Sequence, residues 1–250
     1  FLVYELAARA AGAEPVAAPE TNYHADVDAL LAHVTDKTRI LFLANPNNPT
    51  GSYLAEGELR RLWSGLPENV LLVIDSAYAE YVTAKDYEAG ADLVDRAKNV
   101  VMTRTFSKIY GLAALRLGWC YGAEGVIDVM NRVRGPFNVT APALAAGLAA
   151  VEDQDYIAMA RDHNDKWLKR LDAELRQIGI TALPSVCNFL LLRFPEGGDR
   201  NSNAADAFLT ARGILARNVD NYHLPGCLRV SIGRDDEMDA LLSALKEFMA

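Results

Sequence analysis

The sequence predicts an α/β protein with a large domain over residues 1–146 and a smaller α+β domain over 147–250. The large domain is expected to hold a mostly parallel sheet flanked by helices. Three observations carry this. Helix-like and strand-like stretches alternate through the first half of the chain. The strands in that half are short and apolar, as in sheets covered by helices on both faces. After Pro142 the texture changes to a long amphipathic stretch followed by two separated apolar strands.

In chain order, a helix is expected near 2–11, a strand near 14–18, a helix near 25–33 and an apolar strand at 39–43. A helix at 56–63, strands at 70–74, 99–103 and 116–121, and a helix at 126–134 continue the alternation. The alanine-rich stretch 143–150 reads as helix, and Met159, Trp167, Leu171 and Leu175 recur at helical spacing through 156–178. Strands at 187–194 and 227–232, with helices at 204–212 and 236–249, complete the smaller domain. Phe1 already lies in helix-like sequence with no cap before it, so an N-terminal part is expected to be missing.

With 25 Lys+Arg against 33 Asp+Glu, a formal net charge of −8 and 51% hydrophobic residues, the chain is neither disordered nor collagenous. The acidic balance disfavours a nucleic-acid partner. Cys120, Cys187 and Cys227 are odd in number and widely spaced, which argues against a disulfide framework or a zinc cage and favours the cytoplasm. The uncharged run 135–151 is broken by Pro136, Asn138, Thr140 and Pro142, too short and polar to span a bilayer. His24, His33, His163 and His223 share no ligand spacing, and no metal site is expected.

Four segments end or follow predicted strands, where ligands gather in an open α/β sheet. In Asn45-Pro46-Asn47-Asn48-Pro49-Thr50-Gly51, two prolines stiffen a turn, so the Asn48 amide would be a pre-organised polar contact. In Val73-Ile74-Asp75-Ser76-Ala77-Tyr78, an apolar strand delivers a carboxylate that a protonated pyridine nitrogen would pair, with Tyr78 suited to a nearby phenolate oxygen. In Thr105-Phe106-Ser107-Lys108-Ile109-Tyr110, apolar neighbours would desolvate Lys108 toward nucleophilic competence. The hydroxyls of Thr105 and Ser107, with Arg116, suit a phosphate, and together these groups suggest a phosphorylated aldehyde cofactor. In Leu228-Arg229-Val230-Ser231, an arginine interrupts an apolar strand and, with Arg217, offers a fork for a substrate carboxylate or phosphate. Each segment alone also has a bland reading: a loop, a helix cap, a solvated lysine, an edge-strand arginine.

Taken together, Asn47-Asn48-Pro49-Thr50-Gly51, Asp75-Ser76-Ala77-Tyr78, Thr105-Phe106-Ser107-Lys108 and Leu228-Arg229-Val230-Ser231-Ile232-Gly233 resemble, in this order, the fold-type I pyridoxal-phosphate aminotransferases of class I/II, particularly the histidinol-phosphate aminotransferase family. Arg116-Leu117-Gly118-Trp119, Pro136-Phe137-Asn138-Val139 and Cys187-Asn188-Phe189-Leu190 are similar to further segments of that family. The resemblance implies aminotransferase fold type I with pyridoxal 5'-phosphate bound covalently through Lys108. It implies that Asp75 pairs with the pyridine nitrogen, that Asn48 and Tyr78 contact the 3-oxygen, and that Thr105 or Ser107 with Arg116 holds the 5'-phosphate. Arg229, helped by Arg217, would hold the substrate's anionic group. The implied reaction passes an amino group from histidinol phosphate to 2-oxoglutarate in a homodimer. The family's N-terminal arm and early glycine-containing loop do not appear before Phe1. The same scaffold serves aromatic amino-acid transamination and threonine-phosphate decarboxylation, and an aminotransferase-like domain also occurs in cofactor-sensing regulators. Retention of Lys108, Asp75, Tyr78 and both arginines favours turnover over sensing.

Overall fold

The first sheet consists of β1 (Ile40–Ala44), β2 (Leu71–Asp75), β3 (Val100–Thr105) and β4 (Gly118–Gly122), hydrogen-bonded in that spatial order in a computed structural model that describes Phe1–Ala250. β1, β2 and β3 are parallel, whereas β4 returns antiparallel to β3. The register sets Ala44 opposite Asp75 and Asp75 opposite Thr103, so β1 and β2 end level and β3 runs two residues further. This sheet belongs to a compact unit made of residues 1–47 and 52–160. Its helices are α1 (Leu2–Ala10), α2 (Val27–Ala32), α3 (Glu56–Ser64), α4 (Ala91–Arg96), α5 (Glu124–Val133) and α6 (Ala141–Glu152).

Local chemistry accounts for several boundaries. Asp26 caps α2 by accepting from Ala29 N–H at 3.0 Å, and Thr140 caps α6 by accepting from Ala143 N–H at 3.3 Å. Pro142 falls in the first turn of α6, where its missing N–H removes no helical bond. Leu59 and Leu62 of α3 are fully buried in a core with Leu72, Ile74, Leu93, Val100 and Met102.

Two expectations are corrected here. Residues 14–18 form no strand, because Pro15 removes a ladder donor and no neighbouring strand pairs with the segment. Burial on both faces holds for the start of β3 but not for the outer strands: Ile40 and Phe42 of β1 are 48% and 38% exposed, and Trp119 and Tyr121 of β4 are exposed too. An outer strand has a neighbour on one side only and is less covered by helices.

The second unit comprises residues 48–51 and 161–250, so the division falls inside the 24-residue helix α7 (Gln154–Gln177), whereas the sequence places a domain boundary near 146. Its sheet is antiparallel, with β5 (Thr181–Ala182), β6 (Phe189–Arg193), β8 (Cys227–Ser231) and β7 (Arg217–Asn218) in that order. α8 (Ser202–Thr210), capped by Asn201, and α9 (Asp235–Met249) complete it. Trp167, Leu171 and Leu175 of α7 pack with Leu190 and Leu192 of β6, Leu228 of β8 and Leu241 and Leu245 of α9. Gly179, at φ +81°, ends α7 in the left-handed conformation that glycine adopts without a Cβ penalty. No helix is long and apolar enough to cross a membrane. The three cysteines are free, and no cluster of His, Cys, Asp or Glu is placed to hold a metal ion.

Candidate active site

The carboxyl ends of β2 and β3 carry the Asp75 and Lys108 segments, at the edge where open α/β sheets bind ligands. Asn45 pins the chain there. It is fully buried, its side chain both donates to Leu54 O and accepts from Leu54 N–H, and its own N–H bonds Asp75 O at 3.0 Å. Ser76, also fully buried, donates from its backbone N–H to Thr103 O at 2.9 Å and from its hydroxyl to Ala89 O at 2.6 Å. These bonds fix where the chain leaves β2, and therefore where Asp75 and Tyr78 begin.

Asp75 is half-buried. Its Oδ1 accepts from Ala77 N–H at 3.2 Å, and its Oδ2 accepts from the Tyr4 hydroxyl at 2.5 Å. The ring of Tyr4 stacks on Phe42 with centroids 4.8 Å apart and planes at 15°. Burial, followed by the charge of Asp75, pushes the Tyr4 phenol well above its ordinary range, so it remains a donor. Tyr4 belongs to no motif and was invisible in the sequence.

Lys108 is half-buried, with Nζ 5.1 Å from the centroid of the buried Tyr78 ring. The sequence expectation of apolar neighbours holds: Phe106 and Ile109 are buried, and Tyr110 packs its ring 4.9 Å from that of Phe106. Burial and the Glu80 carboxylate raise the Tyr110 phenol. Arg104 of β3 donates to Glu80 Oε1 at 2.6 Å in a largely buried ion pair, tying the turn that follows Tyr78 to the strand that precedes Lys108. Such a pair serves geometry more than stability.

The segment between β3 and β4 closes on itself. Phe106 N–H bonds Leu117 O, Leu112 N–H bonds Phe106 O, and Gly111 N–H bonds Lys108 O. Thr105 Oγ1 accepts from Ser107 N–H at 3.1 Å, and Arg116, exposed at φ +52°, donates to Ala113 O at 2.7 Å. The bond from 106 to 117 extends the β3–β4 pairing by one residue beyond Thr105 and Gly118.

In the second unit the predicted residues Asn48, Arg229 and Arg217 come together. Arg229 Nη1 donates to Asn48 Oδ1 at 2.6 Å, its guanidinium lies 5.0 Å from the Phe189 ring centroid, and its Nε is buried with no hydrogen-bond partner. β8 is not an edge strand, since it lies between β6 and β7. Arg217, exposed on β7, is directly opposite Arg229 in the ladder. Like charges in opposed positions repel unless an anion lies between them.

The model of the class I and II aminotransferases matches residues 1–245. The chain belongs to that family. Its relatives within it include the histidinol-phosphate aminotransferase of Paramagnetospirillum magneticum, 54% identical over 249 residues that cover 100% of this chain and 69% of that protein. That of Nitrobacter winogradskyi is 52% identical over 250 residues, covering 100% and 68%. The crystal structure of histidinol-phosphate aminotransferase from Sinorhizobium meliloti in complex with pyridoxal-5'-phosphate matches with a TM-score of 0.90 at 31% identity, across 100% of this chain and 68% of that one.

Proposed function

We propose that this aminotransferase uses pyridoxal 5'-phosphate to transfer the amino group of histidinol phosphate to 2-oxoglutarate, in the cytoplasm and as a homodimer. The observation that carries the reading is the placement, on neighbouring strand ends, of the Asp75 carboxylate and the Lys108–Tyr78 pair. The donor set suits the cofactor: an amine for its aldehyde, a carboxylate with lone pairs to spare for a ring N–H, and two hydroxyls and a guanidinium from the segment between β3 and β4 for its phosphate.

In this reading Lys108 would hold the cofactor covalently, Tyr78 and Asn48 would bond its 3-oxygen, and Thr105, Ser107 and Arg116 would hold its phosphate. When bound, the cofactor would supply an electron sink for the substrate's α-carbon. Lys108 Nζ, a free amine once the donor's own amine has taken its place, would take up the α-proton as general base and hold it for return. Asp75 keeps a proton on the ring nitrogen by remaining an anion beside it. Arg229, with Arg217, binds the anionic group of the donor and of the 2-oxo acid, fixing which bond meets Lys108. Asp75, Tyr78 and Lys108 would then belong to the unit of residues 1–47 and 52–160, and both arginines to the unit of 48–51 and 161–250.

The test is borohydride reduction of the cofactor-loaded protein and of Lys108→Ala, followed by a panel of amino donors. We expect a single reduced adduct on Lys108, turnover with histidinol phosphate, and neither in the variant. An active Lys108→Ala protein, or a parent protein that processes only threonine phosphate, refutes the assignment.

A further inference from the structure

The geometry points to Tyr4 as a positioning residue for transamination, its hydroxyl holding the Asp75 carboxylate fixed so that the remaining lone pairs are kept for the cofactor's ring nitrogen. This rests on the proposed pairing of Asp75 with that nitrogen. An ionised carboxylate has about four lone-pair sites on its two oxygens. The protein fills one on each: Ala77 N–H on Oδ1 and the Tyr4 hydroxyl on Oδ2, at 3.2 and 2.5 Å. The two donors differ in kind. The Ala77 bond is a local turn made by the chain leaving β2, whereas Tyr4 reaches Asp75 from α1, 71 positions away in sequence. The short phenol bond is the stronger, because hydrogen bonds to a charged acceptor exceed neutral ones.

The register explains how Tyr4 comes to be there. Phe42 and Ala44 of β1 pair with Val73 and Asp75 of β2, so Phe42 and Asp75 share one face of the sheet. Tyr4 lays its ring on Phe42 and is thereby aimed at the carboxylate. Its phenol, raised by burial and by Asp75 itself, does not ionise at working pH and cannot act as acceptor for a proton from the carboxyl. With one Oδ2 lone pair already engaged by the Tyr4 hydroxyl, the carboxylate competes less for the proton it shares with the ring nitrogen, which stays on the ring as an electron sink requires.

The alternative is that Tyr4 only fastens α1 to the sheet. The two roles separate in the nitrogen-15 chemical shift of labelled pyridoxal 5'-phosphate bound to the protein, which reports how far the proton sits from the ring nitrogen. In Tyr4→Phe the ring stack persists and only the hydroxyl is lost. We expect the resonance to move toward that of the unprotonated ring, and kcat to fall about tenfold while KM for the amino donor changes little. A 3-fluorotyrosine at position 4, a stronger donor of nearly the same shape, is expected to shift the resonance the other way. Phe42→Leu, which disturbs the stack but spares the hydroxyl, serves as the structural comparison. Loss of melting temperature in Tyr4→Phe with the resonance unmoved, or fluorotyrosine without effect, overturns the inference. If Tyr4→Phe does not fold, the fluorotyrosine protein decides alone. A parent protein that takes up no cofactor sinks the functional reading itself, which is a different result from an unmoved resonance in a loaded one.

Discussion

Arg229 has one arm of its guanidinium on Asn48 and its Nε buried without a partner. A buried N–H left unpaired is costly, so the Asn48 bond carries most of what holds this guanidinium in place. The Phe189 ring beneath it stabilises the charge without consuming a donor. Arg229→Ala is therefore expected to raise KM for the anionic amino donor about 100-fold, with a smaller loss in kcat, since a charge-assisted fork contributes roughly 1.5–3 kcal/mol. Arg229→Lys recovers only part of this, because an ammonium cannot present the planar fork. Steady-state kinetics on both variants check the pair, and an alanine variant with the parent KM would exclude Arg229 from substrate binding.

At the scale of elements, β4 returns along β3 so closely that Gly118 has no room for a side chain. A Cβ built there lies 2.9 Å from the backbone carbonyl of Arg104. Backbone cannot rotate aside as a side chain can, so Gly118→Ala must push β4 off β3. The expected loss is about 1–3 kcal/mol, read as a lower urea midpoint. An unchanged midpoint would show the hairpin to be slack. Because the same hairpin carries Arg116 at its turn, cofactor affinity is expected to fall with it.

Most elements were legible where a strong period met enough length: α7, α9, β2, β6 and β8 all lie within a few residues of their expected bounds. The six-residue α4 and the two-residue β5 and β7 are too short to show a period, and the sequence reading passed over them. Residues 14–18 hold Pro15 and a single β-former, Val16, and lack a partner strand, so the expected strand does not form. The candidate site was legible in the same uneven way. Asp75, Tyr78 and Lys108 announce themselves through motifs at strand ends. Tyr4 and Asn45 act through contacts made by the fold, and the opposition of Arg217 to Arg229 is a fact of register.

The whole molecule carries 33 acidic against 25 basic side chains, and many of the acids are matched to neighbouring cations. Arg60, helped by Arg96, holds the Asp92 carboxyl below the usual carboxylate range. Lys166 and the Trp167 indole do the same for Asp235, Arg234 for Asp236, and Lys246 with Arg170 for Glu174. In each case the folded pKa lies below the unfolded one. The stabilisation is therefore complete above the unfolded values, about 4 for these acids, and drains away as pH falls through the lower folded values. Each pair is at the surface and weak alone. Acting in one direction at one end of the pH scale, they are expected to leave the melting temperature nearly level from about pH 8 to about pH 6 and to lower it steeply below about pH 4. The native ion pairs weaken in concentrated salt as well, so raising salt at neutral pH should reproduce a small part of the acid effect. Thermal melts across pH and ionic strength measure both, and a melting temperature unchanged down to about pH 3 would mean that these carboxylates keep no more charge in the folded chain than in the unfolded one.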